Sequence, residues 1–98
     1  MDTPYAFVAR IEAQPEKAEE VAALLTGALP LAQAEQGTVD WYAARTSATT
    51  FWIFDTFGSE EARQAHINGE IAAALMAKVD ELLAGPPEIL PADVLAAK

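Results

Sequence analysis

TFWIFDTFGSEEARQAH, residues Thr50–His66, decides the fold of this chain. Its first eight residues include Phe51, Trp52, Ile53, Phe54 and Phe57, so the strand they predict carries aromatic or aliphatic side chains on both faces. A strand apolar on both faces must be covered on both. Gly58 and Ser59 then lead into a helix that places the only histidine, His66, about two turns in. In a chain of 98 residues, helices can cover one face of such a strand, and a second copy of the chain is the expected cover of the other.

Working outward, the flanking segments fall into a regular order. Tyr5 to Ala13 alternates as a strand, with Tyr5, Phe7, Ala9 and Ile11 on one face and Val8, Arg10 and Glu12 on the other. Pro15 opens a helix at no hydrogen-bond cost. Glu16, Glu19 and Glu20 favour its N-terminal end, and Val21, Leu25 and Leu29 lie on the stripe to be buried. Pro30 ends or kinks this helix. Gly37 begins a second strand, TVDWYAART, which turns through Ser47 and Ala48 into the Thr50 strand. Ser59 is placed to cap the next helix, Asn68-Gly69 interrupts it, and a longer helix is expected from Glu70 to Ala84, stopped by Gly85-Pro86-Pro87. The tail EILPADVLAAK reads as a last strand that Pro91 confines to an edge or a bulge.

Strand, helix, strand, strand, helix, strand is the split βαβ order of a ferredoxin-like α+β sandwich, here expected as one domain over residues 1–98 with helices on one face of an antiparallel sheet. If the central hairpin has an even loop, Thr46 pairs with Thr49, which sets Trp41 opposite Phe54, Ala43 opposite Trp52 and Arg45 opposite Thr50. One face then carries Val39, Trp41, Trp52 and Phe54, and the other Tyr42, Ala44, Phe51 and Ile53. Either could pack on the helices, and an odd loop or a bulge would reshuffle the pairing.

Composition narrows the function. Hydrophobic residues make up 52%, but 22 residues are alanine, so the bulky core is small and a partner would enlarge it. With no cysteine there is neither a disulfide framework nor a thiolate ligand or nucleophile, and one histidine makes a histidine-based metal site improbable. The net charge of −9 and the scattered Arg10, Lys17, Arg45, Arg63, Lys78 and Lys98 argue against nucleic acid. No apolar run is long enough to span a bilayer, and MDTPYAF lacks the marks of a signal peptide, so a cytoplasmic protein without membrane contact is expected.

Three segments, VARIEAQPEKAEE, EQGTVDWYAAR and FWIFDTFGSEEARQAH, resemble in order and spacing the antibiotic biosynthesis monooxygenase domains, and the resemblance covers nearly the whole chain. It implies a homodimer in which two ferredoxin-like sheets join into an α/β barrel. It also implies chemistry of the quinol monooxygenase-like type, in which a deprotonated, electron-rich substrate passes electrons to molecular oxygen with no metal or flavin. The protein must then supply an apolar cavity, a proton acceptor and donors for the developing oxyanion. His66 matches the family's helix histidine and is the candidate acceptor, and Asp55 matches an acidic position from which it could orient His66. Trp41, Trp52 and Phe54 are candidates for the cavity, and Tyr42, Arg45, Asn68 and again Trp41 for the donors.

Each has a structural alternative: His66 as a turn anchor, the tryptophans as core or interface, Arg45 as an edge-strand charge, Asn68-Gly69 as turn chemistry. Haem-degrading relatives carry an Asn on the first strand and a His on the second helix, where this chain reads YAFVARIEA and IAAALMAK. Quinol-type members often carry a second His where this chain has Glu70-Ile71. The expected function is therefore cofactor-independent oxidation of a small aromatic quinol, phenol or anthrone. The alternatives are a non-catalytic dimeric binder of an apolar ligand and an isomerase or degrader of a small carbonyl compound.

Overall fold

In the computed structural model, which describes residues 2–98, β1 (Tyr5–Glu12) leads through a single 3-10 turn (Pro15–Lys17) into α1 (Ala18–Gly27) and α2 (Leu29–Ala34). The chain continues as β2 (Thr38–Arg45), β3 (Thr50–Phe57), α3 (Glu60–Ile67), α4 (Glu70–Met76), α5 (Val79–Leu82) and β4 (Glu88–Asp93). The strands form one open antiparallel sheet in the order β2-β3-β1-β4, with the helices on one face. This is the ferredoxin-like α+β sandwich expected from the order of elements. Among the described residues no helix is long and apolar enough to cross a membrane.

The core lies between the sheet and the helices. Ala9 and Ile11 of β1 and Phe51 and Ile53 of β3 meet Val21 and Leu25 of α1, Leu75 of α4 and Leu82 of α5. Burying a side chain such as Ile11, fully inaccessible here, stabilises by about 1.5–3 kcal/mol. Pro15 and Pro30 both occupy the first turn of a helical segment, where the missing N–H breaks no bond. The bend in the first helical run falls at Ala28, so Pro30 starts α2. Pro91 lies in β4, which pairs with β1 at an edge of the sheet.

Three details differ from the sequence expectation. The helix expected over Glu70–Ala84 is broken into α4 and α5 at Ala77-Lys78. Its end is drawn onto β1 instead: Gln14 N–H donates to Leu82 O at 2.9 Å, Ala84 N–H donates to Glu12 O at 2.9 Å, and Ala13 bridges Leu83. The hairpin loop is odd rather than even. Thr46 N–H donates to Thr50 O at 3.0 Å across Ser47, Ala48 and Thr49, and Ser47 Oγ accepts from Thr50 N–H at 3.1 Å. The register therefore moves by one residue, to Trp41 opposite Asp55, Ala43 opposite Ile53 and Arg45 opposite Phe51. That shift puts Trp41 on the helix face with Phe51, Ile53 and Asp55, and leaves Tyr42, Trp52 and Phe54 on the open face.

The third is a β-bulge at the start of β2. Thr38 pairs with Phe57 and Asp40 with Thr56, so Val39 is one residue too many. Without it, Thr38 and Asp40 would share the open face. With it, Thr38 turns to the helix side and meets α2 and α3.

Candidate functional site

Helix α3 is fixed at its start and at its middle. Ser59 Oγ accepts from Ala62 N–H at 3.1 Å, the cap its position announced. Arg63 reaches to Ala92 O at 3.3 Å and lies over the Tyr5 and Phe7 rings, holding the helix to β1 and β4. One turn on, His66 is buried with its ring against Phe57 at a centroid distance of 5.1 Å and Phe7 at 6.5 Å.

Both imidazole nitrogens face carboxylates. His66 Nε2 is 2.9 Å from Asp55 Oδ2, and His66 Nδ1 is 2.5 Å from Glu35 Oε1. Asp55 rises from the helix-facing side of β3 and is 2% exposed, whereas Glu35, at the C-terminal end of α2, is 24% exposed. Thr38, turned inward by the bulge, donates its hydroxyl to Glu35 Oε1 at 2.7 Å. Burial alone would lower the His66 pKa, but the hydrogen bonds and charges of Asp55 and Glu35 outweigh it and raise the pKa above its ordinary value. The protonated ring can donate to both carboxylates at once. Loss of either proton turns a lone pair toward a carboxylate, so the neutral ring is a ready proton acceptor.

A cleft of about 580 Å³ opens beside this cluster, lined by Glu35, Gly37, Thr38, Ala62, His66 and Glu70 among others. Its shape depends on two glycines. A Cβ at Gly37 would lie 2.7 Å from the Ala62 Cβ, so only glycine lets the start of β2 approach α3 this closely. A Cβ at Gly69 would lie 3.2 Å from Glu35 Oε2, so Gly69 leaves room for the carboxylate. On its inner side His66 borders a cavity of about 30 Å³ walled by Phe7, Ile53, Ile71 and Leu75. Asp55 Oδ1 and Trp41 Nε1 are buried without a partner among the described residues, and their residues are cross-strand neighbours.

Residues 4–78 match the family model for antibiotic biosynthesis monooxygenase. The chain belongs to that family. A protein of unknown function from Nitrosomonas europaea, NE2512, superposes with a TM-score of 0.96 at 48% identity, over 99% of this chain and 94% of that one. Rv0793 from Mycobacterium tuberculosis shares the fold at a TM-score of 0.84 and 23% identity, over 96% and 97% of the two chains. PA3566 from Pseudomonas aeruginosa does so at 0.81 and 24%, over 98% of each. No functionally curated protein matches the chain.

Of the residues expected at the site of this family member, the structure brings His66 and Asp55 into contact. Trp41 shares their side of the sheet, packs against the core and against Ala28, Ala32 and Ile71 beside it, and borders a separate groove with Leu29, Ala32 and Thr38. Tyr42, Trp52 and Phe54 lie on the other face, and Trp52 Nε1–H donates to Thr46 Oγ1 at 2.8 Å. Arg45 sits at the hairpin end, four residues or about 13 Å along the sheet from the Asp55 row. It pairs there with Glu19 at 2.8 Å, donates to Ala48 O at 2.7 Å and covers Phe51. Asn68 is the exposed C-cap of α3. Sequence reasoning assigned no role to Glu35 or Thr38. For Glu35 one signal existed, since an acidic residue at a helix C-terminus works against the dipole and asks for another reason to be there. For Thr38 there was none, because its direction depends on the bulge. Among the described residues no group of three or more acidic or histidine side chains is arranged to hold a metal ion.

Proposed function

We propose that this protein oxidises a small aromatic quinol, phenol or anthrone with molecular oxygen, without a cofactor, and that it works as a homodimer. The observation that carries the reading is a buried imidazole, held between two carboxylates, in the wall of a cleft large enough for a small aromatic molecule. Removing the O–H or C–H proton of such a substrate leaves an electron-rich anion. The anion can donate an electron to oxygen, and recombination forms a new C–O bond. Loss of water from the resulting peroxide leaves the quinone, with one oxygen atom in the product and the other in water. The His66 cluster supplies what the chain must supply, a base whose proton affinity is raised toward that of the substrate. Dimerisation is supported by the open face of the sheet, where exposed Tyr42, Phe54 and Leu90 lie in one cross-strand row with Val8 of β1 between Phe54 and Leu90.

The test is oxygen uptake with a panel of quinols, phenols and anthrones, each compared with its uncatalysed rate. Uptake matched mole for mole by quinone is the expected result. No acceleration with any member, together with tight binding of the same compounds, would establish the non-catalytic binder instead.

A further inference from the structure

We propose that Glu35 is the group that takes the proton from the bound ligand, and that His66 behind it is the proton's destination, positioned by Asp55. This deepens the oxidation reading above and rests on it. His66 has no free nitrogen to offer a ligand: Nε2 faces Asp55, Nδ1 faces Glu35, and its side chain is 8% exposed. Glu35 is three times as exposed at 24% and lines the cleft itself. Its Oε1 is engaged by His66 and Thr38, while Oε2 has no hydrogen bond within the described residues and lies over Gly69, where the absent side chain leaves space.

The groups facing this pair are few. Asp55 comes from β3 and Thr38 from β2, Phe7 comes from β1, and Glu61 on α3 and Glu70 on α4 line the cleft. Arg63 is turned away to β1 and β4. The carboxylates around the cleft favour a ligand that arrives as the neutral phenol. Its O–H bond breaks, the proton bonds to the Glu35 carboxylate, and Glu35 passes it to Nδ1 of neutral His66. The electron pair stays on the ligand oxygen, and the imidazolium between two carboxylates is restored. Turnover therefore needs the unprotonated ring, and it rises with pH through the pKa of the cluster.

Glu35→Gln tests this. Wild-type kcat should rise with pH through one apparent pKa above the ordinary imidazole value. Glu35→Gln should lower kcat by about 10²-fold with KM little changed, and Glu35→Asp should recover part of the loss. A second measurement does not require turnover: at a pH above the apparent pKa of the cluster and below that of the free ligand, unsubstituted phenol bound to the wild type should show phenolate absorbance, and bound to Glu35→Gln it should not. Full oxidation by Glu35→Gln overturns the relay and leaves the oxidation reading standing. Glu35-dependent ionisation of the phenol with no oxygen consumption overturns the oxidation reading and leaves the relay. A wild type that neither oxidises the panel nor ionises bound phenol in that pH window overturns both.

Discussion

His66 contributes to stability in a way that runs with pH. Its pKa is raised in the folded protein by Asp55 and Glu35 against the opposing effect of burial. The stabilisation is then complete below the unfolded-state pKa and is lost as pH rises through the folded-state pKa. The difference in urea stability between wild type and His66→Gln should therefore shrink from mildly acidic to alkaline pH. A difference that grows with pH would contradict the assignment. Asp55 makes a sharper case. Asp55→Ala leaves the buried ring facing no carboxylate on its inner side and should cost about 3–5 kcal/mol, measured by urea unfolding below neutrality. Asp55→Asn should keep more of the fold and lower the His66 pKa, read from its imidazole resonances.

At the scale of elements, the parts that were legible in the sequence are those fixed by local chemistry. Ser59 before Glu60-Glu61 announces the start of α3, the Phe51–Phe57 run announces a strand buried on one side and unsatisfied on the other, and Pro91 announces an edge. Asp55 and His66 were legible as a pair through the resemblance to the family, and the structure brings them into contact because the strand and the helix that follows it pack together. The register of β2 was not legible, because it turns on a single residue in the Ser47–Thr49 loop, and the bulge at Val39 reverses the face of Thr38 without any mark in composition. The end of α5 at Leu82 was hidden for a related reason, since contacts of Leu82, Leu83 and Ala84 with Glu12, Ala13 and Gln14, far away in sequence, accompany it. Gly37 joins the two levels. Gly37→Ala must push β2 away from Ala62 and should cost about 1–3 kcal/mol, the usual range for overpacking. It should also weaken ligand binding in the cleft beyond what the lost stability explains; unchanged binding by calorimetry would show that the approach of β2 to α3 does not shape the site.

For the whole molecule, the sheet divides the labour. One face builds the core and positions Asp55, His66 and Thr38, and the other presents Tyr42, Phe54 and Leu90 to the outside. A homodimer through that face should bury at least about 1,000 Å² in total, and Leu95 in the tail, 91% exposed, is placed to add to it. Sedimentation should show a dimer for the wild type at micromolar concentration and a monomer for Phe54→Lys. A monomeric wild type would leave the open face without its proposed cover. The central claim is that the His66 cluster is the proton-accepting centre of an oxidation, and steady-state oxygen uptake by His66→Ala, compared with wild type from acid to alkaline pH on the same quinol, tests it most directly. Loss of turnover by about 10²-fold at neutral pH, with the variant still folded, is the result the geometry predicts. Equal activity of the two proteins across that range would contradict it.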